Sequence, residues 1–242
     1  MRLASASDTV CVGKQEHFSM PDLKALLAQL QKHHGVPAKP APRGPFEFVL
    51  WENAVYLMPD ERRLEVFESL RERVGLTPKA IAEADGRVLL ELARRGGMRP
   101  ETRVFRWLEI ARITRSQFDG DLSQILVWPW NKAKRALKQF PTLGDPGAEK
   151  VLLFCGVAAD GVLPLDSNGL RVLTRFGYGR EQKSYGATYK SVQEGIAAEL
   201  PKPAKAQLTA HQLLREHGQT FCKRTSPLCE TCPAQTLCAK RL

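Results

Sequence analysis

Four cysteines near the C-terminal end of this 242-residue chain have a spacing that suits a metal centre. Six, two and five residues separate successive cysteines. Four thiolates in so short a loop can bind one metal ion or cluster, which would brace a segment too short to bury a core of its own. Composition alone favours zinc, because four-cysteine zinc sites are common. The candidate ligands are Cys222, Cys229, Cys232 and Cys238.

A carboxylate and a glycine-containing turn form a second group with chemical potential. Asp166 precedes a helical pattern that runs from Asn168 to Phe176, and aspartate is a favoured N-cap residue. Upstream, a turn with Gly144 and Gly147 separates a basic helical pattern from an apolar one. Glycine can adopt backbone angles closed to other residues, and the free amides of a helix start suit a phosphate. The turn therefore predicts an anion site close to a capping carboxylate.

The charge of the chain narrows its partners. The formal net charge is +10 and the sequence pI is about 9.5, which favours nucleic acid or an anionic membrane surface. No apolar run approaches the length of a membrane span, and the first residues lack the build of a signal peptide. We therefore expect a cytoplasmic, nucleoid-associated protein with no membrane partner.

Helical periodicity dominates the rest of the chain and predicts an all-α fold of about ten helices, with no strand-like alternation. The segment from Phe46 to Leu57 is apolar on nearly all sides, which predicts one helix inside a domain. It carries a lone carboxylate, Glu52. Burial there would raise the pKa of Glu52 and keep it protonated, as a general acid requires. The alternative is a core carboxylate paired with an arginine.

The order of these segments resembles the helix-hairpin-helix DNA glycosylases, the relatives of endonuclease III and of MutY-type adenine glycosylase. The resemblance rests on a Pro-x-x-Gly turn, an apolar helix and then Leu-Asp-x-Asn-x-x-Arg-Val around Asp166. It implies two helical domains, residues 43–160 and residues 1–42 plus 161–242, with DNA in the cleft between them. The cysteine spacing is that of the 4Fe–4S loop in these proteins, which the resemblance favours over zinc.

The resemblance also assigns roles to particular residues. Asp166 would drive base excision with Asn168 as its helper, and Glu52 would take the place of the MutY-type acid. Leu57 falls where the family has a glutamine that fills the gap left by an extruded base, and an apolar wedge could do the same. The hairpin positions that would contact a DNA phosphate are Thr142, Gly144, Gly147 and Ala148.

Two hairpin residues depart from the family pattern. Thr142 stands at the first hairpin glycine, and Pro146 replaces the lysine that bifunctional members use as nucleophile. We therefore expect a monomeric, monofunctional DNA glycosylase that flips a damaged or mispaired base from duplex DNA and hydrolyses its N-glycosidic bond. The excised base stays open.

Three alternatives remain at this point. One is a bifunctional glycosylase and AP lyase that uses Lys132, Lys134 or Lys150 as a non-standard nucleophile. Another is a non-catalytic iron–sulfur protein that binds DNA. The third is a structural module that holds zinc.

Overall fold

The computed structural model describes residues 21–38 and 41–239. Within these ranges the chain is helical and forms no strand beyond an isolated antiparallel bridge between Ala159 and Val162, so the all-α prediction is confirmed. The eleven α-helices of this part are α1 (Leu23–His34), α2 (Gly44–Glu52), α3 (Asp60–Arg73), α4 (Pro78–Glu83), α5 (Gly86–Arg95), α6 (Pro100–Gln117), α7 (Trp130–Leu137), α8 (Asp145–Phe154), α9 (Ser167–Phe176), α10 (Tyr185–Ile196) and α11 (Ala204–Thr220). Leu122–Val127 and Ala197–Glu199 form short 3-10 helices.

The apolar segment that was predicted as one helix to Leu57 leaves the helix earlier, after Glu52. Asn53 ends α2. Its side-chain amide donates to Val49 O within the helix and to Pro141 O, and its carbonyl accepts from the Trp107 indole at 3.1 Å. The distant contacts to Pro141 and Trp107 cannot be read from local apolar content, and residues 53–59 form a loop.

Two clusters of buried apolar side chains hold the helices. The first draws its buried members from Phe46 to Leu152, and Trp107 and Phe67 are among the largest side chains that it buries completely. The second combines α1 with residues between Leu153 and Ala234. The division into two domains at residue 160 stays a prediction, but the clusters give it a physical basis.

The second cluster is centred on α9 and α11, which pack closely along their lengths. Gly218 makes this approach possible, since a Cβ atom there would lie 2.7 Å from Asn168 Cβ. α1 also packs against α11. This arrangement fixes the start of α9, where Asp166 lies.

None of the helices in the described residues has the length and apolar character needed to cross a membrane.

Candidate active site

Asp166 is held at the start of α9 by contacts to both of its carboxylate oxygens. Oδ1 accepts hydrogen bonds from the Asn168 and Gly169 amides at 3.0 and 2.8 Å, as the N-cap prediction requires. Oδ2 accepts from the Asn168 side chain at 3.3 Å and lies 3.2 Å from Arg215 Nε. The Asp166 side chain remains 21% exposed, so this carboxylate is fixed in place but accessible.

Asn168 is oriented by a neighbour on its own helix. Arg171 Nη2 donates to Asn168 Oδ1 at 2.9 Å and to Gly218 O at 2.7 Å. The Asn168 amide group therefore turns its NH₂ towards Asp166. The structure brings these two predicted site residues together.

Arg215 connects Asp166 to α3. Its Nη1 and Nη2 lie 2.6 and 2.7 Å from the two carboxylate oxygens of Asp60. Asp60 also accepts a hydrogen bond from Gln219 at 3.4 Å. Sequence reasoning missed Arg215 and Asp60. The available signal was the spacing of His211, Arg215 and Gln219, which recur every four residues on one face of α11.

The charges around Asp166 keep it ionised. Burial alone would raise its pKa, but His211, the Gly169 amide, Arg215 and Lys150 together lower the pKa below the usual range. Burial lowers the pKa of His211 to about 4, so its ring is neutral near pH 7. At that pH the cations that favour the Asp166 carboxylate are Arg215 and Lys150.

Glu52 does not have the raised pKa that the sequence predicted. Lys150 Nζ lies 2.6 Å from Glu52 Oε2, and Arg63 Nη1 lies 4.0 Å from Oε1. Burial would raise the pKa of Glu52, but Lys150 and Arg63 outweigh burial and lower the pKa. The expectation of a protonated acid is therefore wrong, and the structure favours the alternative of a paired carboxylate. The partner at close range is a lysine 98 residues away in sequence.

The three lysines proposed as alternative nucleophiles have different surroundings. Lys134 pairs with Glu149 at 3.1 Å and with Asp145 at 3.6 Å. Lys132 Nζ lies over the Trp128 ring at 4.2 Å from its centroid. Lys150, one helical turn after Pro146, is the member of this set whose charge acts on both Asp166 and Glu52.

The hairpin between α7 and α8 places its unusual backbone at Thr142 rather than at a glycine. Thr142 has a φ of 67°, whereas the φ of Gly144 is −86° and Gly147 is helical. Gly144 and Gly147 therefore do not use the backbone angles that only glycine adopts easily, although the sequence allowed them to. Thr142 Oγ1 donates to Asn53 Oδ1 at 3.0 Å, and Asn53 Nδ2 donates to Pro141 O at 3.2 Å. A side chain from α2's C-terminus thus supports the strained residue.

The start of α8 offers fewer free amides than the sequence predicted. Ala148 is buried, and its N–H donates to Gly144 O at 2.9 Å, so this amide is unavailable to a phosphate. The first residue of α8, Asp145, adds a negative charge at the same place. Lys138 and Lys134 lie 2.9 and 3.6 Å from its carboxylate and offset that charge. Gly147 remains in the first turn, where helix amides have no partner within the helix.

Leu57 projects from the loop between α2 and α3, as a wedge requires. Its side chain is 79% exposed and its φ is 53°. The neighbouring loop after α5 carries Met98, which is 62% exposed and was missed in the sequence. The loops are joined by a hydrogen bond from Tyr56 N to Gly96 O at 2.9 Å. Gly97 leaves no room between them, because a Cβ there would meet Tyr56 O at 2.9 Å.

The four C-terminal cysteines line one pocket beside α9 and α11. Arg171 Nε donates to Cys222 O at 2.7 Å and Arg175 Nη1 donates to Lys223 O at 2.7 Å, so α9 holds the start of the loop. In the described residues, no three His, Cys, Asp or Glu side chains are arranged to hold a metal ion. The donor set and its convergence on one pocket nevertheless fit a group with four thiolate ligands.

No protein-family profile matches the chain. The chain is 28% identical over 182 residues to endonuclease III from Sulfolobus acidocaldarius, which covers 74% of each protein. The chain is therefore similar in sequence to endonuclease III and shares the fold of the helix-hairpin-helix DNA glycosylases.

Solved structures of DNA glycosylases share the fold of this chain. A trapped covalent intermediate of endonuclease III with DNA superposes with a TM-score of 0.70 at 20% identity, over 91% of this chain and 97% of that one. A thermostable thymine-DNA glycosylase gives 0.69 at 15% identity, over 90% and 95%. The H. pylori 3-methyladenine DNA glycosylase MagIII gives 0.61 at 17% identity, over 82% and 97%. At these identities the likeness establishes the shared fold.

The Glu52–Lys150 pair gives a prediction about the stability of the folded chain. Replacing Lys150 by Met should raise the pKa of Glu52 and lower the free energy of unfolding at pH 7 by about 1–3 kcal/mol, because a charged-group hydrogen bond is lost. Glu52 has a lowered pKa in the folded state, so its contribution is present above the unfolded pKa of about 4.3 and is lost as pH falls further.

Urea unfolding of parent and Lys150→Met from neutral pH to about pH 3 measures this difference, which should narrow at the acid end. Lys190→Met is the matched control, since Lys190 pairs with Glu194 at 3.9 Å on the exposed surface. An equal loss of stability in both variants would mean that the Glu52–Lys150 pair has no special weight.

Proposed function

We propose that the chain is a monofunctional DNA glycosylase of base excision repair. The observation that carries this proposal is Asp166, an ionised carboxylate fixed at a helix start and still partly open to the cleft. Cleavage of an N-glycosidic bond builds positive charge on the sugar, and a fixed anion stabilises that charge. The relatives with this fold are DNA glycosylases and endonuclease III, some of them solved with DNA.

The reaction would divide between Asp166 and a water molecule. The C–N bond breaks, the base leaves with its electron pair and takes up a proton, and water adds its hydroxyl group to the sugar carbon. Asp166 contributes negative charge close to that carbon, and Asn168 keeps the carboxylate aimed through its side-chain amide. Because Glu52 is paired with Lys150, we do not give it the acid's role, and a purine substrate would need another proton source.

The loops at the cleft entrance fit a base-flipping role. Leu57 and Met98 are exposed apolar side chains on two loops that are tightly joined, so they can enter a base stack as one unit. The duplex backbone would be held by the basic surface of the chain and by the first turn of α8 around Gly147. The substrate is a duplex with a damaged or mispaired base, and the identity of the excised base stays open.

The iron–sulfur loop is the proposed cofactor site. We assign a 4Fe–4S cluster to Cys222, Cys229, Cys232 and Cys238, supported by their spacing, by their shared pocket and by the endonuclease III relatives. When bound, the cluster supplies a covalent brace for the loop rather than chemistry on the DNA. Zinc is the alternative that the same thiolates could bind.

Asp166→Asn tests the glycosylase proposal. The amide keeps the helix cap but removes the negative charge, so base release should fall by about 10³-fold while affinity for duplex DNA stays nearly unchanged. The measurement is single-turnover release from duplexes that each carry one modified or mispaired base. Asp85→Asn, at the exposed N-cap of α5, is the matched control and should react at the parent rate. A parent protein that binds these duplexes and releases no base would support the non-catalytic alternative.

The absence of a strand-cleavage step is a separate prediction. Pro146 cannot form a Schiff base, because its nitrogen lies within the peptide chain. Lys150 is held by Glu52, so the product should be an intact abasic site that breaks only after alkali is added. Borohydride is added during excision to trap any covalent protein–DNA adduct. An adduct that disappears in Lys150→Met would identify a bifunctional enzyme with Lys150 as its nucleophile.

Metal analysis tests the cofactor. Protein purified without oxygen should contain about four iron atoms per chain and absorb broadly near 400 nm, from thiolate-to-iron charge transfer. Cys232→Ser should lose both the iron and the absorption, whereas Cys155→Ser, outside the loop, should keep them. One zinc per chain with no iron would replace the cluster by a zinc site.

A further inference from the structure

We infer that Arg215 is a positioning residue that aims the Asp166 carboxylate and couples it to the loop that carries Leu57. This inference rests on the proposed glycosylase function and adds a residue to it. It comes from one side chain that contacts two carboxylates. Asp166 lies in the candidate active site, and Asp60 lies at the start of α3, directly after the loop that carries Leu57.

The geometry of the guanidinium fixes its orientation. Nη1 and Nη2 contact both oxygens of Asp60 at 2.6 and 2.7 Å, which is the bidentate arrangement that holds an arginine in one plane. Nη1 also donates to Gln219 Oε1 at 3.3 Å. In this orientation Nε lies 3.2 Å from Asp166 Oδ2, so the two groups form an ion pair. The remaining oxygen of Asp166 is fixed by backbone amides of α9.

The charge balance leaves Asp166 useful for catalysis. A cation paired with Asp166 alone would cancel the negative charge that a cationic sugar needs. Here one guanidinium is shared between Asp60 and Asp166, so these three groups together keep one net negative charge. Arg215 can therefore fix Asp166 without neutralising the cluster.

The same contact links two parts of the molecule. Asp60 is the first residue of α3 and follows Leu57 by three positions. Arg215 lies on α11, whose buried face belongs to the second apolar cluster, whereas α3 packs in the first. A movement of the loop that carries Leu57 would therefore shift Asp60 and Arg215, and through them Asp166.

Other charged and titratable groups also face Asp166, and they set what removal of Arg215 should do. Lys150 on α8, Arg171 on α9, Tyr185 on α10 and His211 on α11 all interact with its charge. Without Arg215, Lys150 and Arg171 remain as cations near Asp166. The pKa of Asp166 should therefore rise, but not as far as that of a buried acid with no cation nearby. A rate that needs ionised Asp166 should then begin to fall at a higher pH.

The experiment compares Arg215→Met, Arg215→Lys and Asp60→Asn with the parent, in single-turnover excision from about pH 3 to pH 9 on a duplex from which the parent releases a base. We expect Arg215→Met to lose about 10²-fold in rate with its acid limb moved to higher pH. Arg215→Lys should not recover the rate, because an ammonium cannot bridge both carboxylates in this geometry. Asp60→Asn should show a smaller loss, since Asp166 keeps its contact to Arg215.

Arg112→Met is the matched control. Arg112 also makes a two-point contact, from Nε and Nη2 to Glu109 at 2.7 Å, but within one helix and on the surface, so its loss should change neither rate nor pH profile. A parent-like rate and profile in Arg215→Met, or full recovery by Arg215→Lys, would overturn the positioning role.

Amide hydrogen exchange separates this inference from the glycosylase proposal. In the DNA-free protein, Arg215→Met and Asp60→Asn should both speed exchange in residues 56–60, and Arg215→Met should also speed it at the Asn168 and Gly169 amides that bond to Asp166. Unchanged exchange at both places would overturn the coupling even if activity fell. If the parent released no base, the proposed function would fail, and the exchange result would still decide the coupling.

Discussion

The candidate site depends on keeping the Asp166 carboxylate charged although it is largely buried. Burial works against the ionised form of Asp166, and three kinds of contact oppose that penalty: helix amides, a shared guanidinium and a lysine from another helix. Each of these comes from a different segment of the chain. The packing of α9 against α11, which needs Gly218, places the α9 amides and Arg215 around the Asp166 carboxylate. The packing of these segments around Asp166 therefore keeps its carboxylate ionised.

The local parts of the site could be predicted from the sequence, and the long-range parts could not. An aspartate before a helical pattern indicates an N-cap, and the cap at Asp166 forms as expected. The pKa of Glu52 was predicted in the wrong direction, because apolar neighbours in sequence indicate burial but say nothing of Lys150. The helix end at Glu52 was missed for the same reason, since Asn53 finds its partners at Pro141, Thr142 and Trp107.

Two residues of the hairpin have neighbours that compensate for them. Thr142 adopts a left-handed backbone, which is unfavourable for a β-branched residue, and its hydroxyl group donates a hydrogen bond to Asn53. Asp145 brings a negative charge to the helix start that we propose as a phosphate site, and Lys138 offsets this charge. The hairpin therefore depends on side chains from outside its own turn.

The make-up of the two apolar clusters has a consequence for synthesis on the ribosome. Every buried member of the first cluster lies between Phe46 and Leu152, so this core can condense as soon as that continuous stretch has emerged. α1 emerges earlier but packs on α11, near the other end of the chain. Its three buried leucines must wait, exposed, until most of the protein has been made. Until α11 has emerged, the apolar face of this amphipathic helix has no native partner and is open to chaperones.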